Sequence, residues 1–302
     1  MVQVFYSPSY VGASHAFDTT RKSKWVADSL STQAISGIDL RAPQSFTRQQ
    51  VIEVHDPDYA LAVETGEPRS LAESQGFPWD AGIWSMVLAS NGGVVEAALA
   101  AMQSGAAGSL SSGLHHARRA QGKGFCTFNG LAIAARAALA SGARSILILD
   151  LDAHCGGGTH SLIMDNPRIW QLDVSVCSFD SYEPSERTVL SILRDASEYL
   201  PLIASRLEDL GSHAPQFDLC LYNAGMDPFE DCDIGGLEGI SQEILAERER
   251  IVFDWCRERG IPVAFVLAGG YIGSRLDQRR LVDLHRLTLS AAARTPTRDR
   301  QQ

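Results

Sequence analysis

Two patterns alternate along this chain. Short apolar runs without polar breaks recur, and between them lie longer stretches in which apolar residues return every three or four positions. Ile146 to Leu149 is the clearest run of the first kind. Four aliphatic residues in a row suit a strand buried on both faces of a parallel sheet. Similar strands are expected at 2–7 and 169–176, at 218–228 (DLCLYNAGMDP) and at 262–271 (PVAFVLAGGY). Helical spacing predicts a basic, partly amphipathic helix over 15–30, with Asp18 or Thr19 as its cap, and two short helices over 46–66 broken at Asp56-Pro57. It predicts a long alanine-rich buried helix over 82–105 despite Gly92-Gly93, and a helix at 131–142 closed by glycine. Further helices are expected over 196–214 (where Pro201 is a candidate interruption), 240–260 and 275–293. Residues 67–80 read as a surface loop, 113–130 as a glycine-bearing loop after a short buried segment, and 177–193 as an exposed connection.

Strands alternating with helices indicate an α/β fold with a largely parallel sheet. No low-complexity linker and no repeat divides the chain, so residues 1–302 are expected to form one domain, with 290–302 as a polar tail. With 45% hydrophobic and 21% charged residues, a sizeable core is available. The net charge of −10 speaks against non-specific nucleic-acid binding. The first residues, MVQVFYSPSY, lack a signal-peptide pattern, and no apolar run reads as the roughly 18 residues of a membrane span, so no membrane partner is expected. The six cysteines are scattered without a C-x-x-C pair, which points to a reducing cytoplasm rather than a disulfide scaffold.

Chemistry gathers at glycine-bearing strand ends and loops. The strand at 146 runs into Asp150, Asp152 and His154 and then three glycines. Residues i, i+2 and i+4 of a strand share a face, so these three could project together at the edge where open α/β sheets place ligands. Taken alone, Asp152 and His154 read more readily as a helix cap and a core histidine than as metal ligands. Asp227, after the next buried strand, is a candidate third metal ligand or the residue that caps the turn before Pro228. His115 and His116 lie among glycines, and both can serve one site only if the loop bends there. Tyr271 directly follows Gly269-Gly270.

HHARRAQGKGFC, DLDAHCGGG, YNAGMDP and LAGGY, in this order and spacing, resemble the motifs of zinc-dependent histone deacetylases and acetylpolyamine amidohydrolases. HAFDTTRKSKW and VHDPDY fall where that family has related segments, and the HAFD start, DLDAH and YNAGMDPFEDCDIGGL look most like its class IV branch. The resemblance covers about residues 4–290. It implies the arginase/deacetylase fold, an eight-stranded parallel sheet between helical layers. It implies Zn²⁺ held by Asp152, His154 and Asp227, with Asp150 behind His115 and Tyr271 beside the metal. It implies a narrow channel for an acylated amine with Phe125 as one wall, bordered by Gly124 and Gly269, and Phe179 as the candidate for the opposite wall. A structural monovalent cation such as K⁺ is expected near the Asp150–His154 strand end.

The implied reaction is hydrolysis of an N-acyl amine, with acyl-lysine, a polyamine or a small metabolite as the amine; class IV likeness adds longer fatty acyl chains to acetyl. His116 is expected to be the general base, His115 its electrostatic partner and Tyr271 the oxyanion donor. Many family members carry an aspartate where this chain has Gly157, and it pairs with the second histidine. Without it, His116 is expected to be neutral more readily and less rigidly oriented. Cys155 is read as structural. Asp80 is the candidate rim residue for holding the substrate. Two rival readings are a non-catalytic zinc-containing binder of acylated amines and a ureohydrolase-type enzyme with two Mn²⁺ ions. The second needs more aspartates than Cys155, Gly156 and Gly157 supply.

Overall fold

The computed structural model describes residues 1–13, 18–44 and 46–294. Residues 15–17, which begin the HAFD segment, and 295–302 of the tail lie outside these, as do the side chains of the cap candidates Asp18 and Thr19.

In chain order the elements are β1 (Val2–Phe5), α1 (Asp18–Thr32), β2 (Ile38–Arg41), α2 (Arg48–Ile52), α3 (Pro57–Thr65), α4 (Arg69–Ala72), α5 (Gly82–Ser104) and β3 (Ala106–Ser109). There follow α6 (Gly130–Ala140), β4 (Ile146–Asp150), α7 (Gly157–Ile163), β5 (Ile169–Ser175), β6 (Thr188–Ile192) and α8 (Tyr199–His213). The last are β7 (Leu219–Gly225), α9 (Gln242–Glu258), β8 (Val263–Ala268) and α10 (Gln278–Ala293). The strands form one eight-stranded sheet in the order β2-β1-β3-β8-β7-β4-β5-β6, and every pairing is parallel.

A parallel sheet needs cover on both faces, and the side-chain alternation shows both covers. On β4, Leu147 and Leu149 enter one core with Tyr222, Phe265 and the apolar sides of α1, α8, α9 and α10. Ile146 and Ile148 enter a second core with Leu221, Val266 and residues of α3, α5 and α6. All strands run the same way, so their carboxyl ends open on one edge. The loops after β3, β4, β5, β7 and β8 meet there.

Several sequence expectations change in the folded chain. β6 is a strand within the 177–193 stretch read as a connection, and β2 lies between the predicted helices of 15–30 and 46–66, where no element was expected; each is an edge strand paired on one side, so neither needs an unbroken apolar run. The 67–80 segment is not only surface: it contains α4, and Ala72 and Gln75 are buried. Pro201 does not break α8, because it lies in the first turn, where the missing N–H has no intrahelical acceptor. The glycines after His154 form more than a turn, since α7 begins at Gly157. α5 continues across Gly92-Gly93, where Phe46 and the Tyr10 hydroxyl press against it. That helix, 23 residues long, is also apolar enough to cross a membrane by length and composition, contrary to the expectation above. Half of its most apolar window is buried inside the protein against the sheet.

Candidate metal centre

Strand geometry ends at Asp150, so Asp150, Asp152 and His154 do not share one face of a continuing strand. The chain bends at 152–154, and the three side chains separate. Asp152 and His154 turn toward Asp227, which follows β7. Their ligand atoms lie within 4.8 Å of one another. His154 Nδ1 is 3.1 Å from Asp152 Oδ1 and 3.1 Å from Asp227 Oδ2. Backbone amides hold the set: Ala153 N donates to Asp227 Oδ1 and His154 N to Asp152 Oδ1.

The electrostatics fit a cation. Burial and the neighbouring Asp152 push Asp227 up to about 6. Burial works the same way on Asp152, but the His115 charge and the His154 hydrogen bond hold it well below the usual range. Burial would depress His154, yet its bonds to Asp152 and Asp227 raise it to about 11. Two buried carboxylates converging on one imidazole nitrogen form a donor set that a divalent ion can neutralise. Among the described residues, this is the group placed to hold a metal. Cys155 is not part of it; its thiol is directed to the Cys177 carbonyl.

The histidine loop follows β3. Asn129, the cap of α6, holds it in place: its Oδ1 accepts from Ala132 N while its amide donates to the carbonyls of His115 and Ala117 and to Thr159 Oγ1. The two rings lie 4.0 Å apart but differ in surroundings. His115 Nδ1 is 2.7 Å from Asp150 Oδ2, and its Nε2 is 3.6 Å from Asp152 Oδ1. Asn223 donates to the other oxygen of Asp150. Against the effect of burial, the charges of Asp150 and then Asp152 raise His115 to about 10. Burial and the charge of His115 lower His116 to about 4. These shifts favour the protonated form of His115 and the neutral form of His116.

The expectation of a loosely held His116 is wrong. No carboxylate stands at Gly157, but Asp180, in the loop after β5, places Oδ2 3.0 Å from His116 Nδ1. It occupies the room a side chain at 157 would need: a Cβ on Gly157 would lie 2.2 Å from the Asp180 carbonyl oxygen.

After β8, Gly269 and Gly270 turn the chain into Tyr271. Gly269 has φ +52, and a Cβ there would come within 2.2 Å of Asp227 Oδ1, so only glycine lets this turn close on the Asp152, His154 and Asp227 group. Burial, reinforced by Asp227 and Asp152, pushes the Tyr271 hydroxyl well up, so it stays protonated. Lys22 of α1, read from sequence only as part of a basic helix, is fully buried and donates to the Gly269 carbonyl at 2.6 Å. Burial lowers it to about 8 against the pull of Asp152 and Asp227.

Phe125 lies 6.5 Å from Tyr271 and stacks on Phe77 at 5.2 Å. Phe179, exposed at 43%, meets the rings of His116 at 5.0 Å and His154 at 5.9 Å edge-on. Gly124 abuts the His116 ring. Phe77 was hidden in the segment read as a surface loop. Asp80 sits at the start of α5, where it accepts from Gly82 N. The non-glycine residues with positive φ among those described are Leu114, Phe125 and Asp180, and all three border this site. Strain of this kind, about 1–3 kcal/mol per residue, gathers where surrounding structure imposes a functional geometry.

The histone deacetylase domain pattern matches residues 15–186. An uncharacterized protein of Picosynechococcus sp. is 36% identical over 235 residues, covering 76% of this chain and 77% of that protein. Histone deacetylase 2 of Arabidopsis thaliana is 32% identical over 190 residues, 61% of this chain; the match spans about half of that relative, 49%. The crystal structure of acetylpolyamine aminohydrolase from Burkholderia pseudomallei superposes with a TM-score of 0.77, covering 98% of this chain and 100% of that one at 18% identity, which is a likeness of fold.

Proposed function

This chain belongs to the histone deacetylase family, and from that premise we propose that it is a zinc-dependent hydrolase that removes an acetyl or longer acyl group from an N-acylated amine. The observation that carries the reading is the contrast between His115 and His116 beside a three-residue metal set. Two adjacent imidazoles held in opposite charge states give one group to stabilise negative charge and one to move a proton.

Asp152, His154 and Asp227 would hold the ion. Bound there, zinc supplies Lewis acidity toward an amide carbonyl and lowers the pKa of an attacking water. His116, neutral at pH 7, takes the proton of that water and returns it to the leaving amine. His115, charged between Asp150 and Asp152, keeps its proton and favours negative charge developing beside it. The Tyr271 hydroxyl donates to the developing oxyanion. Phe125 and Phe179, with Gly124 and Gly269, border the channel in which an apolar acyl-amine stem would lie. The family likeness also supports a structural monovalent cation such as K⁺ near the Asp150–His154 strand end.

The names of the relatives support an acylated lysine or polyamine as substrate, and the class IV likeness supports testing longer acyl chains. The interleaved strand order supports one catalytic domain, and six free cysteines support a reducing, cytoplasmic setting. The test is metal analysis of the purified chain together with hydrolysis of a panel in which acyl length and amine vary separately. Stoichiometric zinc and turnover of an acetyl or acyl reporter are expected, with turnover lost and zinc kept in His116→Ala. Full activity in that variant refutes the base assignment. Zinc without hydrolysis of any acyl chain favours a binder instead.

A further inference from the structure

We propose that Asp180 is the positioning residue of the proton-transfer step, fixing the tautomer and ring angle of His116 and joining that histidine to the Phe179 wall of the channel. The inference rests on the proposed function for the role of His116, but its geometry stands without it.

The Asp180 side chain has no exposed surface, and both of its oxygens are engaged. Oδ2 accepts from His116 Nδ1 at 3.0 Å and from Gly158 N at 3.1 Å. Oδ1 accepts from Arg118 Nη2 and Lys123 Nζ, each at 2.5 Å. An ionised carboxylate only accepts, so the proton of a neutral His116 must sit on Nδ1. The lone pair is then on Nε2, which has no hydrogen-bond partner among the described residues. That is the form a proton acceptor needs, and the orienting bond keeps the ring from flipping it away.

Three features show that this arrangement is built into the chain. Asp180 adopts φ 61, a left-handed conformation that Asp tolerates better than most residues but still holds only under constraint. Position 157 is vacant by necessity, since a Cβ there would lie 2.2 Å from the Asp180 carbonyl oxygen and 3.0 Å from its Cγ. Glycine at 157 and aspartate at 180 are therefore a matched pair: the carboxylate reaches the histidine from one loop because the other loop leaves the space. Third, the residue before Asp180 is Phe179, whose carbonyl accepts from Cys155 N at 3.0 Å, next to the ligand His154. Lys123 Nζ lies 5.1 Å above the Phe179 ring while it pairs with Asp180. A substrate that packs on Phe179 thus presses on a segment whose next residue orients the base.

The test uses the zinc-loaded full chain, with Asp180→Asn and Asp180→Ala read by zinc content, melting temperature, steady-state kinetics and ring-nitrogen NMR of selectively labelled histidine. Wild type is expected to show His116 as the Nδ1–H tautomer. Asp180→Asn should lower kcat about ten-fold or more, and Asp180→Ala about a hundred-fold, with KM within about two-fold and zinc retained. Both variants should lose the single Nδ1–H state. An Nε2–H tautomer in wild type overturns the proposal, and that measurement decides even if the variants do not fold. So does kcat within about three-fold of wild type in Asp180→Ala. If wild type hydrolyses no acylated amine, the function proposed above fails, while the NMR result still upholds or overturns the tautomer assignment.

Discussion

Arg248 lies in the middle of α9 with no exposed surface, and replacing it by methionine should destabilise the protein by about 3–5 kcal/mol. The magnitude follows from what the guanidinium holds. It pairs with Glu249, itself buried, through Nη2 at 2.5 Å and Nε at 3.0 Å. Its Nη1 donates to the carbonyls of Gly225 at 2.7 Å and Leu151 at 3.3 Å, and to Tyr199 Oη at 3.1 Å. Methionine fills similar volume but leaves the Glu249 charge uncompensated in the core and two strand-end carbonyls without this donor. For a chain of this length, a loss of that size lowers the melting temperature by about 5–8 °C. Those carbonyls also precede two of the residues proposed to hold the metal, Leu151 by one position before Asp152 and Gly225 by two before Asp227. Zinc retention against a competing chelator should weaken by about ten-fold as well. The assay is thermal and urea unfolding of wild type, Arg248→Met, Glu249→Gln and the double variant. The Tyr222 hydroxyl donates to Glu249 at 2.9 Å, and the amide oxygen introduced by Glu249→Gln can still accept that bond without carrying a charge. The double variant should therefore recover much of the loss seen in Arg248→Met alone. An Arg248→Met protein that melts within about 1 °C of wild type refutes the reasoning, as does a double variant no more stable than the single.

Gly157→Ala should displace the 178–182 segment, because its Cβ meets backbone rather than a movable side chain; a drop in kcat larger than the drop in stability is expected from paired kinetics and melting. Tyr271→Phe should lower kcat by about 10²–10³-fold, as loss of an oxyanion donor does, with zinc content unchanged on metal analysis. His55 gives the pH prediction. Burial holds it at about 4, below the ordinary 6.5, while its Nε2 accepts from Asn129 N and its Nδ1 faces the Arg118 carbonyl. The folded state therefore refuses a proton that the unfolded state takes up between those values. Its contribution is complete above about pH 6.5 and falls by about 3 kcal/mol as pH drops to about 4, with no further loss below. Urea midpoints measured across that range should show the stability gap between wild type and His55→Gln shrinking as pH falls; a gap independent of pH counts against it.

The amino-acid sequence by itself determined the α/β character of this protein and most of its buried strands. β4, β7 and β8 are legible because a strand covered on both faces needs apolar residues at nearly every position, as in Ile146 to Leu149 or VAFVLA, and β5 shows through the two-residue alternation of IWQLDVS. It also named the residues that converge on one edge: Asp152, His154 and Asp227, the pair His115-His116, and Tyr271. Each stands beside glycines at a strand end, where chain geometry demands small residues and leaves a local mark. β2 and β6 left none, because edge strands with a single partner tolerate polar residues. Tertiary structure alone decided the sheet order, the burial of Lys22 beneath the Gly269 carbonyl and the stacking of Phe77 on Phe125. It alone decided the partner of His116. Asp180 lies 64 residues from the histidine it orients, and its loop bears no periodic pattern. A missing carboxylate at Gly157 read as a looser site, whereas the empty volume at that glycine is what admits Asp180. Sequence records which atoms are absent from a position, but only packing determines which distant group fills the space they leave.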